Sequence, residues 1–295
     1  MCCSSIFSWL TFDIFTRILL PVIIFLSGLF ASFIVKQWQL GKKLESNQRF
    51  IFFWIDGLRK DVILQVDEIK RIASLYRNPD ILFTEVNKHN FHTDKLKAVP
   101  AVEMVQTFYT NKIGDEKTKS KLLFQFSNDL DYLSEIQNQY DTYITGAVDF
   151  LTENSKEWSS SLALFNEWLI DSSDEDGKDE FHTDVFNVKK DYNEYIIKNR
   201  ILTVSIEVIT KEFIDKLLPI IGTHSEKDLS NPKIIKLFKL CQKLRYLYDR
   251  RIINMGNHSN ILEKTGDDIL RVYTRLVETK EQLQKIKFKP FLFMD

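Results

Sequence analysis

The longest run of apolar positions lies near the N-terminus of the chain. Residues 18–35 carry no charged side chain, and the run extends back to residue 14 if Arg17 reaches toward the membrane surface. Such a run is long enough to cross a bilayer as one helix. Because Lys36 follows without a convincing cleavage site, the pattern predicts an uncleaved single-pass anchor. We place the N-terminal tail, the transmembrane helix and a linker at residues 1–13, 14–36 and 37–48.

A second apolar run lies in the stretch 49–61, which has the sequence R-F-I-F-F-W-I-D-G-L-R-K-D. Six consecutive apolar residues end on Asp56, and an amphipathic run over residues 58–76 follows. This order predicts a buried β-strand, a turn and a helix. Asp56 would lie at the carboxyl end of the strand, where α/β sheets collect ligands and catalytic groups. An Asp that caps the following helix has the same signature.

The remaining apolar patterns predict strands that alternate with helices. Further strands are predicted over residues 79–86, 142–148, 201–208 and 290–294. Further helices are predicted at the end of residues 98–110 and over residues 126–140, 233–251 and 266–285. The run that begins at residue 201 also fits a helix where it continues to residue 209. Alternation of this kind favours an α/β fold over residues 49–295, with a largely parallel sheet and many helices.

The charged residues limit the classes of partner and indicate a membrane topology. The chain has 40 Lys and Arg residues against 41 Asp and Glu residues, a net charge of −1, without a strongly basic block. This balance argues against nucleic acid as a partner. Basic residues are more frequent after the apolar run than before it, which places the large domain on the cytoplasmic or matrix side. The residues concerned are Arg17 before the run and Lys36, Lys42, Lys43 and Arg49 after it.

The cysteines and the acidic segment suggest little further chemistry. Cys2 and Cys3 are either palmitoylated beside the membrane or unmodified thiols, and Cys241 falls in a predicted helix. This spacing fits neither a disulfide framework nor a zinc site. The acidic residues 171–180 fail as a calcium hand, because Ser172 and Thr183 would occupy its end positions.

Several segments, in order, resemble one enzyme family. Residues 49–61 are similar to the opening strand and metal-binding Asp of the glycosylphosphatidylinositol ethanolamine-phosphate transferases, which are membrane-anchored members of the alkaline phosphatase superfamily. The other similar segments are A-V-P-A-V-E-M at 98–104, N-D-L-D-Y-L-S-E-I at 128–136, T-Y-I-T-G-A-V-D-F-L at 142–151, F-H-T-D-V-F-N-V at 181–188 and M-G-N-H-S-N at 255–260. The resemblance implies a reduced alkaline-phosphatase-like domain in the endoplasmic reticulum. The mitochondrial inner membrane is the alternative for a repurposed relative.

The departures from the family concern its chemistry. The superfamily uses a Thr or Ser nucleophile held by two divalent metals with Asp and His ligands. The resemblance puts Ala101 at the nucleophile position and leaves Asp56, Asp249 and His258 as vestigial metal-ligand positions. Three scattered ligands do not hold two metals. The resemblance therefore implies a pseudoenzyme without a catalytic residue, metal or other cofactor, and zinc is expected only if the chain is active.

Other hydroxyl and imidazole groups lack a catalytic context in the sequence. We expect ordinary core or cap roles for the hydroxyls of Thr107, Ser127 and Ser205, which have no neighbouring base. Four histidines in polar stretches are predicted at the surface: His89, His92, His182 and His224.

Three functions remain open from the sequence. The first is a catalytically inactive accessory subunit of a larger membrane protein complex, whose partners are the other subunits and the bilayer. The second is an active or regulatory ethanolamine-phosphate transferase of anchor synthesis in the endoplasmic reticulum. The third is a membrane-tethered helical binding module, which the absence of a sheet behind residues 50–55 would favour.

Overall fold

A computed structural model describes residues 15–81, 85–171, 180–201, 204–227 and 231–289. Helices account for 88% of the structure, and the described residues contain no β-strand. The helices are α1 (Leu20–Tyr76), α2 (Thr93–Lys97), α3 (Ala101–Val105), α4 (Glu116–Asp171), α5 (Glu180–Lys198), α6 (Ile206–Ile209), α7 (Asp215–Lys227) and α8 (Pro232–Lys285). Single π-helical turns precede α1, follow α3 and join α6 to α7, at Phe15–Leu19, Gln106–Thr110 and Thr210–Ile214.

The predicted α/β fold with its largely parallel sheet is therefore wrong. Residues 50–55 form part of α1, where Ile51 and Ile55 are buried while Phe53 is 77% exposed. The buried positions Leu44, Ile51, Ile55, Leu58 and Val62 recur at steps of three, four or seven, which is helical spacing. A short apolar run alone does not distinguish a buried strand from a helix that carries apolar residues on two faces.

The other strand predictions are also wrong where the structure describes these residues. Residues 142–148 lie inside α4, where Ile144 and Ala147 are buried three positions apart. The run from residue 201 becomes helical at Ile206, and the Ser205 hydroxyl accepts a hydrogen bond from the backbone N–H of Val208 as the N-cap of α6. Residues 82–84 of the strand predicted at 79–86, and all of 290–294, lie outside the described residues.

Most helix predictions were confirmed, but the helices are longer than predicted. The amphipathic run 58–76 forms the last part of α1, and residues 126–140 lie within α4. The two C-terminal predictions, 233–251 and 266–285, are parts of the single helix α8. The predicted linker, 37–48, also lies inside α1.

The chain divides into two compact units. The first unit comprises Met1–Asp61, Phe91–Ser134 and Arg271–Asp295, and the second comprises Val62–Asn90 and Glu135–Leu270. In the first unit, the Trp54 indole N–H donates to the Phe91 carbonyl at 3.0 Å, and the Arg275 Nε–H donates to the buried Asp129 carboxylate at 2.9 Å. These bonds connect α1 to the segment before α2, and α4 to α8.

The second unit contains an extended apolar cluster. Its aromatic members include Trp158, Phe165 and Trp168 on α4, Phe181 on α5, and Phe213 in the π-helical turn before α7. Farther along α8, the Ser259 hydroxyl donates to the Ala73 carbonyl of α1 at 2.8 Å. A Cβ atom at Gly266 would lie 3.4 Å from the Ile69 side chain, so the glycine permits close packing of these two helices.

Glu68 organises the segment that follows α1. Its carboxylate accepts two hydrogen bonds of 2.8 Å from Arg71, and its Oε1 accepts a further bond of 2.8 Å from the Asn87 backbone N–H. Hydrogen bonding to Arg71 is the main cause that lowers the pKa of Glu68, and burial opposes it. Because the charged form is favoured in the folded state, the stabilisation is complete above the unfolded pKa and is lost as the pH falls through the folded pKa.

We therefore expect Glu68→Gln to lower the melting temperature at neutral pH and to have a smaller effect in acid. The difference between wild type and variant should shrink as the pH falls below about 4.3, the ordinary pKa of a glutamate. Thermal unfolding followed by circular dichroism at a series of pH values measures this difference. Glu85→Gln is the matched control, because the Glu85 side chain is exposed and only its backbone carbonyl accepts a bond from Arg71. A pH-independent difference for Glu68→Gln would contradict the prediction.

Candidate binding groove

An apolar groove opens in the first unit between the short helices α2 and α3 and the long helix α4. Its volume is about 680 Å³. The buried side chains of Leu96, Phe126 and Leu130 form its floor. Its remaining lining residues are Lys97, Val99, Ala101, Met104, Val105, Ser120, Leu123, Phe124, Ser127 and Asp131. This lining resembles that of sites that take the apolar face of a helix.

Local sequence explains how the walls of the groove form. Pro100, at φ −56° and ψ 138°, is the N-cap of α3 and separates it from α2. On α4, Leu123, Phe126 and Leu130 follow the three-and-four spacing of one helix face. The Phe108 ring packs against the Phe126 ring with a centroid distance of 4.8 Å, which supports the floor from below.

The rim of the groove combines exposed apolar side chains with one ion pair. Phe124 on α4 and Val105 on α3 line the groove on its two sides and are 69% and 39% exposed. Lys97 and Asp131 pair with each other at 3.3 Å, so the charges that line the groove neutralise one another. The groove therefore presents an apolar surface without net charge.

Helix α3 is held in place through its single acidic residue. The Glu103 carboxylate accepts hydrogen bonds from the Lys43 ammonium and, at 3.1 Å, from the Asn47 side chain, both on α1. These bonds, that from Lys43 foremost, lower the pKa of Glu103. Lys43 lies only a few residues beyond the apolar run of α1, so the position of the groove is tied to that helix.

The four positions singled out by the family resemblance lie in different surroundings. Ala101 is exposed at the start of α3. Asp56, in the first unit, pairs with Lys280. In the second unit, Asp249 pairs with Arg245 at 3.0 Å, and burial lowers the pKa of His258 on α8. Within the described residues, no three His, Cys, Asp or Glu side chains lie close enough to hold a metal ion.

The candidate hydroxyls occupy the following positions. The buried Thr107 hydroxyl donates to the Glu103 carbonyl at 2.7 Å, and Ser205 caps α6. Ser127 is exposed and lines the groove. On α8, Cys241 is buried, and burial raises the pKa of its thiol to about 12.

The histidine prediction was wrong for His224. This side chain is 9% exposed, and its Nε2 lies 3.0 Å from an Asp184 carboxylate oxygen, which joins α7 to α5. The sequence around His224 is polar, and the pairing partner lies 40 residues away. The sequence did not predict the groove. The one local signal for it was Phe124 directly beside Leu123, which makes the apolar face of α4 wider than its row of buried residues.

No family model, curated protein or solved structure matches this chain. The structure defines an all-helical protein whose first helix is long and apolar. That helix alone, among the described residues, is long and apolar enough to cross a membrane by length and composition. The resemblance to the ethanolamine-phosphate transferases remains a prediction from sequence segments, and the fold that it implied is wrong.

Proposed function

We propose that the chain is a membrane-tethered helical binding module that serves as an accessory subunit of a membrane protein complex. In this proposal the apolar part of α1 anchors the chain in the bilayer. The groove of the first unit binds the apolar face of a helix from a partner subunit. The absence of a sheet around residues 50–55, in the part of the chain that the structure describes, favours this function over an enzyme-like scaffold.

The observation that carries the proposal is the exposure of the apolar run. Residues 18–35 carry no charged side chain, and the most apolar part of α1 is not buried by the rest of the described chain. Ile24, Phe25 and Phe30 are each more than 60% exposed. A continuous band of such side chains is stable in hydrocarbon rather than in water.

The continuity of α1 supports an anchor rather than a cleaved signal sequence. The helix runs without interruption from Leu20 to Tyr76, and its later part supplies core residues such as Ile51 and Val62. Cleavage after the apolar run would cut inside this helix. The basic residues that follow the run favour a cytoplasmic or matrix position for the helical domain.

The neutral, apolar groove supports a helix as the partner's binding element. A charged or extended peptide would find neither unpaired charges in the groove nor a strand edge in the described residues. Burial of the Phe124 side chain, now 69% exposed, would stabilise the complex by roughly 1.5–3 kcal/mol, and burial of Val105 would add less.

The test is mild detergent solubilisation of native membranes, followed by native-gel sizing and mass spectrometry. We expect the wild-type chain to resist carbonate extraction and to migrate with a stoichiometric partner in a large complex. A double variant, Val105→Asp with Phe124→Asp, should stay in the membrane but leave the complex, because each carboxylate would be buried without a partner. Phe186→Asp is the control, since Phe186 is 64% exposed and does not line the groove.

Two outcomes would overturn this proposal separately. If carbonate extracts the wild-type chain from the membrane, the proposal that α1 is a membrane anchor is wrong. The groove is not the binding site if the wild-type chain migrates alone, near 34.8 kDa plus detergent. The same conclusion follows if the double variant remains in an unchanged complex.

A further inference from the structure

A second cleft lies in the first unit just beyond the apolar run of α1. Its volume is about 640 Å³, within the range of about 300–1,000 Å³ that is usual for small-molecule sites. One wall is a single stripe of α1, formed by Trp38, Lys42, Glu45, Arg49 and Phe52 at helical spacing. The opposite wall includes Lys112, Gln284 at the end of α8, and residues 286–289 beyond it.

Lys112 is the unusual residue of this cleft, because its side chain is charged and only 1% exposed. Its ammonium donates to the Gln48 side-chain oxygen at 2.6 Å and to the Ile286 carbonyl at 3.1 Å, and it lies 3.6 Å from the centre of the Phe288 ring. It forms no ion pair with any carboxylate of the described residues. A buried ammonium without an anionic partner carries a desolvation cost, which a nearby anion would offset.

The backbone fixes the position of Lys112. An isolated antiparallel bridge pairs it with Phe288. On either side, the Ile113 N–H donates to the Lys287 carbonyl at 2.9 Å, and the Lys289 N–H donates to the Asn111 carbonyl at 2.8 Å. The ammonium is therefore held in the wall of the cleft by a rigid frame and does not swing freely from the surface.

The cleft is strongly positive. Among the described residues, its lining contains one acidic residue, Glu45, which lies 3.9 Å from Arg49, against five basic residues. Burial lowers the pKa of Lys112 to about 8, and Glu45 opposes this shift, so the ammonium stays mostly protonated at neutral pH. The five basic lining residues are Lys42, Arg49, Lys112, Lys287 and Lys289.

The distance from the membrane indicates which anion fits the cleft. With a rise of about 1.5 Å per residue, Lys42 lies about 10 Å beyond the end of the apolar run at Val35, and Gln48, which contacts Lys112, lies about 20 Å beyond it. Helical side chains point toward the N-terminus of their helix, here toward the bilayer. The cations therefore extend from the headgroup layer to well above it, farther than a simple phosphodiester reaches.

We propose that this cleft binds the headgroup of a phospholipid that carries phosphate monoesters beyond its phosphodiester, as in the polyphosphoinositides. The diester lies near Trp38 and Lys42, and the outer phosphates bind Arg49, with the charge of Lys112 attracting them from within the wall of the cleft. The shared chemistry is a cluster of phosphate groups, which a soluble inositol polyphosphate also supplies. The inference rests on the proposed anchor, since the anchor places the cleft at the membrane surface.

The experiment uses the full-length chain in neutral detergent and a fluorescently labelled phosphatidylinositol bisphosphate, with binding measured by anisotropy. We expect saturable binding that unlabelled phosphatidylinositol bisphosphate displaces and phosphatidylserine at equal charge does not. Lys112→Met should weaken binding about 30-fold, because it removes the buried cation of this cleft. Lys36→Met, a cation on the same helix outside the cleft, should change binding by less than about twofold.

Competition with soluble inositol trisphosphate distinguishes the two sources of phosphate. Weak competition supports a lipid ligand, and competition as strong as that of the lipid supports the phosphate site with a soluble ligand. Equal displacement by phosphatidylserine, or equal weakening by Lys112→Met and Lys36→Met, would overturn the proposal. If Lys112→Met does not fold, as judged by circular dichroism, Lys42→Met provides the same comparison. Carbonate extraction tests the anchor independently, so failure of the lipid site and failure of the anchor are distinguishable.

Discussion

Replacement of Arg251 by alanine is expected to destabilise the second unit by about 3 kcal/mol. Arg251, on α8, is fully buried. Its guanidinium donates to the Ser155 hydroxyl at 3.0 Å, to the Asn154 side-chain oxygen at 3.4 Å and to the Ile81 carbonyl. Truncation would leave these acceptors without their donor and would open a cavity between α8 and α4.

The charge of Arg251 affects the expected loss of stability, because a buried cation itself has a desolvation cost. Burial lowers the pKa of Arg251, with Asp80 opposing, so the folded chain already bears the cost of a desolvated cation. Asp80 in turn accepts a hydrogen bond of 2.7 Å from the Ile206 N–H, so the connection after α1 and the start of α6 depend on the same cluster. Removal of the cation returns part of its desolvation cost, which keeps the expected loss at about 3 kcal/mol.

Thermal unfolding of the full chain in detergent measures the loss as a fall in melting temperature of roughly 6–12 °C. Arg251→Met keeps most of the volume without the hydrogen bonds and should lie between wild type and Arg251→Ala. Arg250→Ala is the control, since Arg250 is partly exposed and lies 3.8 Å from Glu157. We expect this control to stay within about 1 kcal/mol of wild type. Equal effects at positions 250 and 251 would contradict the buried role of Arg251.

Replacement of Phe165 by alanine should have a still larger effect, about 4 kcal/mol. Phe165 is fully buried in the apolar cluster of the second unit. Its ring meets the Phe213 ring edge-on with a centroid distance of 5.4 Å, and Phe213 stacks on Tyr192 at 5.0 Å. The variant loses the transfer free energy of the ring, leaves a cavity and breaks an aromatic pair.

Denaturant unfolding in detergent tests this prediction, with Phe186→Ala as the matched control. Phe186 lies on α5 in the same unit and is 64% exposed, so its truncation should change the free energy of unfolding by less than about 0.5 kcal/mol. A double-mutant cycle with Phe165→Ala and Phe213→Ala measures the interaction between the two rings. We expect a coupling free energy of about 1 kcal/mol. A loss at Phe165 no larger than at Phe186 would show that the cluster is not packed as described.

Both proposed binding sites belong to the first unit. The groove presents neutral apolar side chains that centre on Phe124, while the cleft presents cations that centre on Lys112. Their chemistries differ, so a helix and an anionic headgroup would not compete for the same side chains. Variants at Phe124 and Lys112 therefore separate protein binding from lipid binding.

Several helices were predictable because their periodicity is local. The amphipathic run over 58–76 and the two runs within α8 follow helical spacing in the sequence itself. The run over 50–55 misled because all six of its residues are apolar, so exposed Phe53 and buried Ile55 are indistinguishable in sequence. A strand that is buried on both faces and a helix with apolar residues on an exposed face can have the same run of apolar residues in the sequence.

The sequence by itself determined the apolar N-terminal run, the balanced net charge and the helical periodicity of the C-terminal third, since each depends only on neighbouring residues. Only the tertiary structure decided that residues 50–55 are helical and that Arg251, His224 and Lys112 are buried. The partners of these polar groups lie far away in sequence, as Gln48 and Ile286 do from Lys112. Burial depends on which distant segments meet, and local pattern does not contain that information.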